Sequence, residues 1–117
     1  MEKKDFVKLV TEAIDKLEVQ GRACTDRSKA CHYLDDLGHC CIVGHMMPDD
    51  DVRKSADRAE KSSIMGLYRE GFEWLEQFNA QQVDLLDSLQ EVHDDPHMPF
   101  EEKLNEMQDI LDEYKRG

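Results

Sequence analysis

No stretch of the 117-residue chain approaches the roughly 20 consecutive apolar residues that a membrane span requires, so no membrane association is expected. Export is not expected either: Met1, Glu2, Lys3, Lys4 and Asp5 lead into an amphipathic segment rather than an apolar one, and the expected compartment is the cytoplasm. In that reducing setting the four cysteines, Cys24, Cys31, Cys40 and Cys41, are expected as thiols rather than as a disulfide framework. Gly21, Gly38, Gly44, Gly66 and Gly71 form no phosphate-cradling series, which removes the support for nucleotide binding. Internal repeats, low-complexity stretches and interdomain linkers are lacking, so residues 1–117 read as a single domain. Basic residues are scarce where acids are dense: 15 bases face 27 acids overall, and residues 81–117 hold 3 bases against 11 acids. A net charge of −12 repels phosphates and disfavours direct nucleic acid binding, while it attracts basic surfaces.

Apolar periodicity organises the rest. Phe6, Val10, Ala13, Ile14 and Leu17 recur at helical spacing until Gly21, which predicts a first helix of about five turns. From Ala30 to Met47 the pattern changes. Tyr33 and the run Cys41, Ile42, Val43 suit a pleated surface, and Asp35-Asp36-Leu37-Gly38 supplies turn chemistry between two runs. A short β-hairpin around residues 30–47 is therefore predicted, with Cys41 and Val43 on one face and Cys40 and Ile42 on the other. A helical alternative for Ser28 to Leu34 stays open. Pro48 and Asp49 to Asp51 predict a helix start with Val52, Ala56 and Ala59 inward, and a break is expected around residues 61–70. Phe72, Trp74, Leu75 and Phe78 should form the aromatic part of the core and continue helically. Asn79 with Gln82 has capping-box spacing ahead of Leu85, Leu86, Leu89 and Val92, and Pro96 and Pro99 bracket a loop. Pro99 is expected as the first residue of a last helix that carries Phe100, Leu104, Met107, Leu111 and Tyr114 inward. The expected class is α+β and predominantly helical, with four or five helices and one hairpin.

Around the hairpin, Cys31, Tyr33, Gly38, Cys41, Val43, Gly44, Pro48 and Asp49 form a Cys-x-Tyr, turn Gly, Cys-x-Val-Gly, Pro-Asp pattern. In this the chain resembles a family of small uncharacterised proteins of tailed bacteriophages and bacterial genomes, and the likeness continues at Leu89-Gln90, His93-Asp94 and the closing amphipathic helix. Cys24 and His45 depart from that pattern. The resemblance implies a phage or prophage origin and a compact α+β fold, and it brings no activity with it.

Three chemistries compete for the candidate residues. Cys31, His32, His39, Cys40, Cys41 and His45 crowd within fifteen residues, which invites zinc, with Cys31, Cys41, His45 and His93 as the ligand set. No Cys-x-x-Cys or His-x-x-x-His pair occurs there, however, and free cysteine commonly packs as a small hydrophobe, so zinc is the alternative and core packing the preferred reading. A thiol enzyme using His93-Asp94 with Cys41 or Cys31 is a second possibility, though no complete nucleophile, base and oxyanion set can be traced. The third feature is an acidic surface: Asp84, Asp87 and Glu91 on one helix, and Glu102, Glu106, Asp109 and Glu113 on the next, fall opposite the apolar stripes. The expectation is a non-catalytic factor without cofactor whose acids meet a basic surface on another protein, in the manner of a DNA mimic; a solvated face that serves only solubility and a structural or assembly protein are the alternatives.

Overall fold

A computed structural model describes residues 1–24, 33–35, 37–59 and 63–117. The predicted first helix is α1 (Lys3–Gln20), and it buries Phe6, Val10, Ala13, Ile14 and Leu17. It stops where Gly21 takes a left-handed conformation (φ 80°) and its N–H returns to the Leu17 carbonyl, a backbone state that a Cβ would strain. Five further α-helices follow among the described residues: α2 (Ile42–Met46), α3 (Asp50–Arg58), α4 (Ile64–Arg69), α5 (Ala80–Asp94) and α6 (Phe100–Arg116). A 3-10 helix, Glu73–Gln77, lies between α4 and α5; it contains Trp74 and Leu75 and is flanked by Phe72 and Phe78.

Most starts have a side-chain cause. Asp49 accepts from the Val52 N–H at 2.9 Å, and Ser63 accepts from the Gly66 N–H at 3.0 Å, so α4 begins inside the stretch expected to be a break. The capping box of α5 is complete, with Gln82 N–H donating to Asn79 at 2.8 Å and Asn79 N–H donating to Gln82 at 2.9 Å. Pro99 is extended (ψ 152°) and precedes α6 rather than opening it.

No strand occurs among the described residues, so the class is all-helical, and the α+β expectation with a hairpin around residues 30–47 is corrected. Residues 30–32 and 36 lie outside the described residues. The turn itself is real. Asp35 Oδ1 accepts from the Leu37 and His39 amides at 2.9 and 2.8 Å, and Gly38 adopts φ 83°. What differs is the partner of each flanking run. The Tyr33 and Leu34 amides donate to the Asp57 carboxylate of α3 at 2.8 and 3.1 Å, and Cys40 has both backbone groups taken by the Gln20 carboxamide of α1 (2.9 and 3.0 Å). Side chains from two helices thus occupy groups that a neighbouring strand would have used. Beyond Cys40 the chain coils, because the Cys41 thiol caps α2 by accepting from the Gly44 N–H at 3.3 Å.

Packing explains why a β-prone run ends as a helix. α2 contacts both α1 and α5, and it buries Ile42, Val43, Gly44 and Met46, which surround the helix rather than marking one face of it. Short apolar runs are ambiguous between strand and buried helix, and tertiary burial decides. The α2 carbonyl end is closed by Arg53, whose Nε donates to Gly44 O at 2.6 Å and whose Nη2 donates to Met47 O at 2.9 Å. α6 packs on α1 and α5. Where they meet, Phe6 makes edge contacts with Phe78 and Tyr114 at 5.6 and 5.4 Å between ring centroids. Among the described residues no helix is long and apolar enough to cross a membrane.

Candidate functional site

Every carboxylate of the predicted acidic surface lies on α5 or α6. Glu102, Glu106, Asp109 and Glu113 form one exposed stripe along α6, opposite the buried Met107 and Leu111. On α5, Asp84 and Glu91 are exposed, while Asp87 is half-buried. The two helices bring Asp84 and Glu113 to opposite walls of a shallow groove of about 390 Å³, with Leu85, Ile110 and Tyr114 between them. Asp87 feels its neighbours: burial first, then the charges of Glu91 and Asp84, raises its carboxyl above the usual value. Lys3 of α1 lies 5.2 Å from the centre of the Tyr114 ring, and Lys115 pairs with Asp112 at 3.8 Å near the end of α6.

Between Ala80 and Glu113 the sequence holds one lysine and no arginine, and that lysine is buried. Lys103 is 7 % exposed, and its Nζ donates to the His93 carbonyl in the last turn of α5. The α5 and α6 surface from Ala80 to Glu113 therefore exposes carboxylates without an exposed base of its own.

The predicted ligand set is dispersed into separate structural bonds. Cys31 lies outside the described residues. Cys41 is buried at the start of α2, and burial holds its thiol protonated well above the usual cysteine range. His45 Nε2 pairs with Gln20 Oε1 at 2.9 Å, so the carboxamide that braces Cys40 also braces this ring. His93 is wholly buried, with Nε2 accepting from the Cys24 N–H at 3.1 Å and Nδ1 2.9 Å from Asp94 Oδ1. That network assigns the ring proton to Nδ1 and a neutral imidazole. The lone pair that a general base would offer to a thiol is engaged by a backbone amide, and the Cys24 thiol instead donates to the His39 carbonyl at 3.2 Å. Among the described residues, no three His, Cys, Asp or Glu side chains come together as a metal-holding group. Tyr33 shares this interior: burial, then the charges of Cys41 and Asp57, holds its phenol protonated far above the ordinary range.

His45 makes the fold sensitive to acid. Burial, followed by the charges of Arg53, Lys16 and His93, depresses its imidazole from 6.5 to about 4. Between those values the unfolded chain binds a proton that the folded chain refuses, so stability present above pH 6.5 is lost as the pH falls through the folded value. The expected loss is about 2 kcal/mol, below the full shift because the ring is partly exposed. Asp35 lies outside this window: desolvation alone would raise its carboxyl, but the His39 and Leu37 amides hold it below 3.8, and its contribution is lost only in stronger acid. Asp87, raised, acts with the opposite sign. Urea unfolding at pH 7 and 4.5 should show the loss in the wild type and a flatter dependence in His45→Gln; equal slopes would contradict the assignment.

Three positioning residues escaped the sequence reading. Gln20 and Asp57 act on partners 20 and 24 positions away, and no local pattern signals such bonds. Lys103 did carry a signal, since it sits three residues after Phe100 and four before Met107, on the inward stripe. Comparison with protein-family models, curated proteins and solved structures finds no match for this chain.

Proposed function

We propose that this chain is a small, acidic, non-catalytic factor that binds a basic surface on another protein through α5 and α6. The observation that supports this reading is the inward turn of Lys103, which leaves Asp84, Glu91, Glu102, Glu106, Asp109 and Glu113 exposed while the stretch from Ala80 to Glu113 presents no exposed lysine or arginine of its own. None of those six has an ion-pair partner among the described residues. Such a field steers a cationic partner and disfavours phosphates. The stripe is also unfavourable for the helix that bears it. Glu102 with Glu106, Glu106 with Asp109 and Asp109 with Glu113 are like-charge neighbours at helical spacing, each costing about 0.2–0.5 kcal/mol. Charge retained against stability is what a binding surface requires. The resemblance to small phage and bacterial proteins supplies the setting: a phage or prophage product acting on a host protein.

The test separates binding from folding. Glu106→Lys with Glu113→Lys turns those three repulsive pairs into attractive ones, so the thermal midpoint should hold or rise by a few degrees. The same variant should lose the basic proteins that the wild type retains from a bacterial lysate at low salt. A folded variant that retains the same proteins would sink the proposal, as would a wild type that retains none.

A further inference from the structure

We propose that the groove between α3 and the 3-10 helix is a second docking site, which takes an arginine-bearing segment of a partner protein with the guanidinium against Trp74. The groove has a volume of about 780 Å³ and is lined by Val52, Phe72 and Trp74 together with the carboxylate residues Asp51 and Glu73. It uses none of the α5 and α6 carboxylates, and it rests on the reading above only for the charge of the partner.

Its walls are apolar and incompletely buried. Val52, Phe72 and Trp74 are each half-buried, and Trp74 is held in place by an edge contact with Phe78 at 5.1 Å. An aromatic ring fixed by the core on one side and lining a groove on the other is a preorganised surface, so little side-chain freedom is lost on binding.

Charge selects the occupant. Of the three consecutive aspartates at the start of α3, Asp49 caps the helix and Asp50 pairs with Arg53 at 2.7 Å, whereas Asp51 has no ion-pair partner among the described residues. Glu73 is likewise exposed and without such a partner. Two free carboxylates beside an indole call for a cation that is also planar and weakly hydrated, which describes guanidinium better than ammonium. Arg58 lies on the same face of α3, one turn beyond Ser55, and would repel a base placed there. The incoming arginine is thus directed to the Asp51 and Glu73 end, and apolar neighbours in the segment cover Val52 and Phe72.

Trp74 is the one tryptophan of the chain, so its fluorescence reports this groove directly. The probes are acetylated, amidated pentapeptides alternating leucine with arginine, lysine or glutamine, titrated at physiological salt. The arginine peptide should give a saturable change, about threefold tighter than lysine and about tenfold tighter than glutamine. Asp51→Asn with Glu73→Gln, both at exposed positions, should weaken it about tenfold, while Glu106→Lys with Glu113→Lys should leave it within about twofold. No saturable change, equal binding of all three peptides, or an unaffected Asp51→Asn, Glu73→Gln protein would each overturn the groove assignment. Those results would leave the α5 and α6 reading standing if the lysate proteins are still lost from the lysine variant. Loss of lysate capture with no peptide effect and retention of capture with a full peptide effect therefore identify different failures.

Discussion

Gly44→Ala is expected to lower the unfolding free energy by about 3 kcal/mol or more, among the larger effects of a single methyl group. A Cβ on Gly44 would lie 2.2 Å from the Tyr33 carbonyl oxygen, 3.1 Å from its carbon and 3.2 Å from Cys40 Cβ. The obstacle is backbone, not the end of a flexible side chain. That backbone cannot withdraw freely, because the Tyr33 and Leu34 amides are both bonded to the Asp57 carboxylate. Either α2 moves out of the core that it fills between α1 and α5, or the Asp57 anchor breaks. Gly38→Ala is the informative contrast: Gly38 has positive φ but nothing within 4 Å of the added Cβ, so only backbone strain of about 1 kcal/mol is expected. Urea denaturation of both variants measures the difference. Similar losses would mean that the close approach of α2 to Tyr33 does not exist in solution.

His93→Leu is expected to cost about 3 kcal/mol, although leucine fills a similar volume and suits an apolar interior better. The reason is what the ring holds. Its Nε2 accepts from the Cys24 N–H, and the segment containing that amide is 69 residues distant in sequence. Leucine would remove the acceptor of that buried N–H together with the bond between Nδ1 and Asp94 Oδ1. The expected signature is a lower urea midpoint with an unchanged slope, since the folded state loses bonds without changing its buried surface. A loss of less than about 1 kcal/mol would show that the Cys24 amide finds another partner and that His93 is not the link between α5 and the segment after α1. His93 thus reads as structural: the histidine suspected as base or ligand spends both nitrogens on holding the chain together.

Much of the helical framework was legible because its causes are local. The 3.6-residue stripe of α1 buries every residue that the pattern names; on α5 and α6 it buries Leu85, Leu86, Leu89, Met107 and Leu111 and leaves Val92, Phe100, Leu104 and Tyr114 half-buried against the core, and Gly21, Asp49 and Asn79 cap where their side-chain or backbone chemistry predicts. The Asp35 turn was also legible, since an aspartate that bonds the next amides is a property of five consecutive residues. The hairpin around it was not. Cys41, Ile42 and Val43 have strand-like side chains, but in a run this short alternation and full burial look alike. The short helix α4 was overlooked for the related reason that Gly66 and the Ser62-Ser63 pair lower intrinsic propensity, while Ile64 and Leu67, both buried, recover it through packing.

The amino-acid order alone determined the acidity of the last third, the amphipathic stripes and the capped helix starts, because each depends on neighbours within one or two turns. Tertiary structure decided the rest: that α2 is a buried helix, that Gln20 and Asp57 replace strand partners, and that Lys103 turns inward and leaves no exposed lysine or arginine between Ala80 and Glu113. Those outcomes rest on bonds between residues far apart in the chain, where the free energy of burial outweighs local preference and no pattern records the partner.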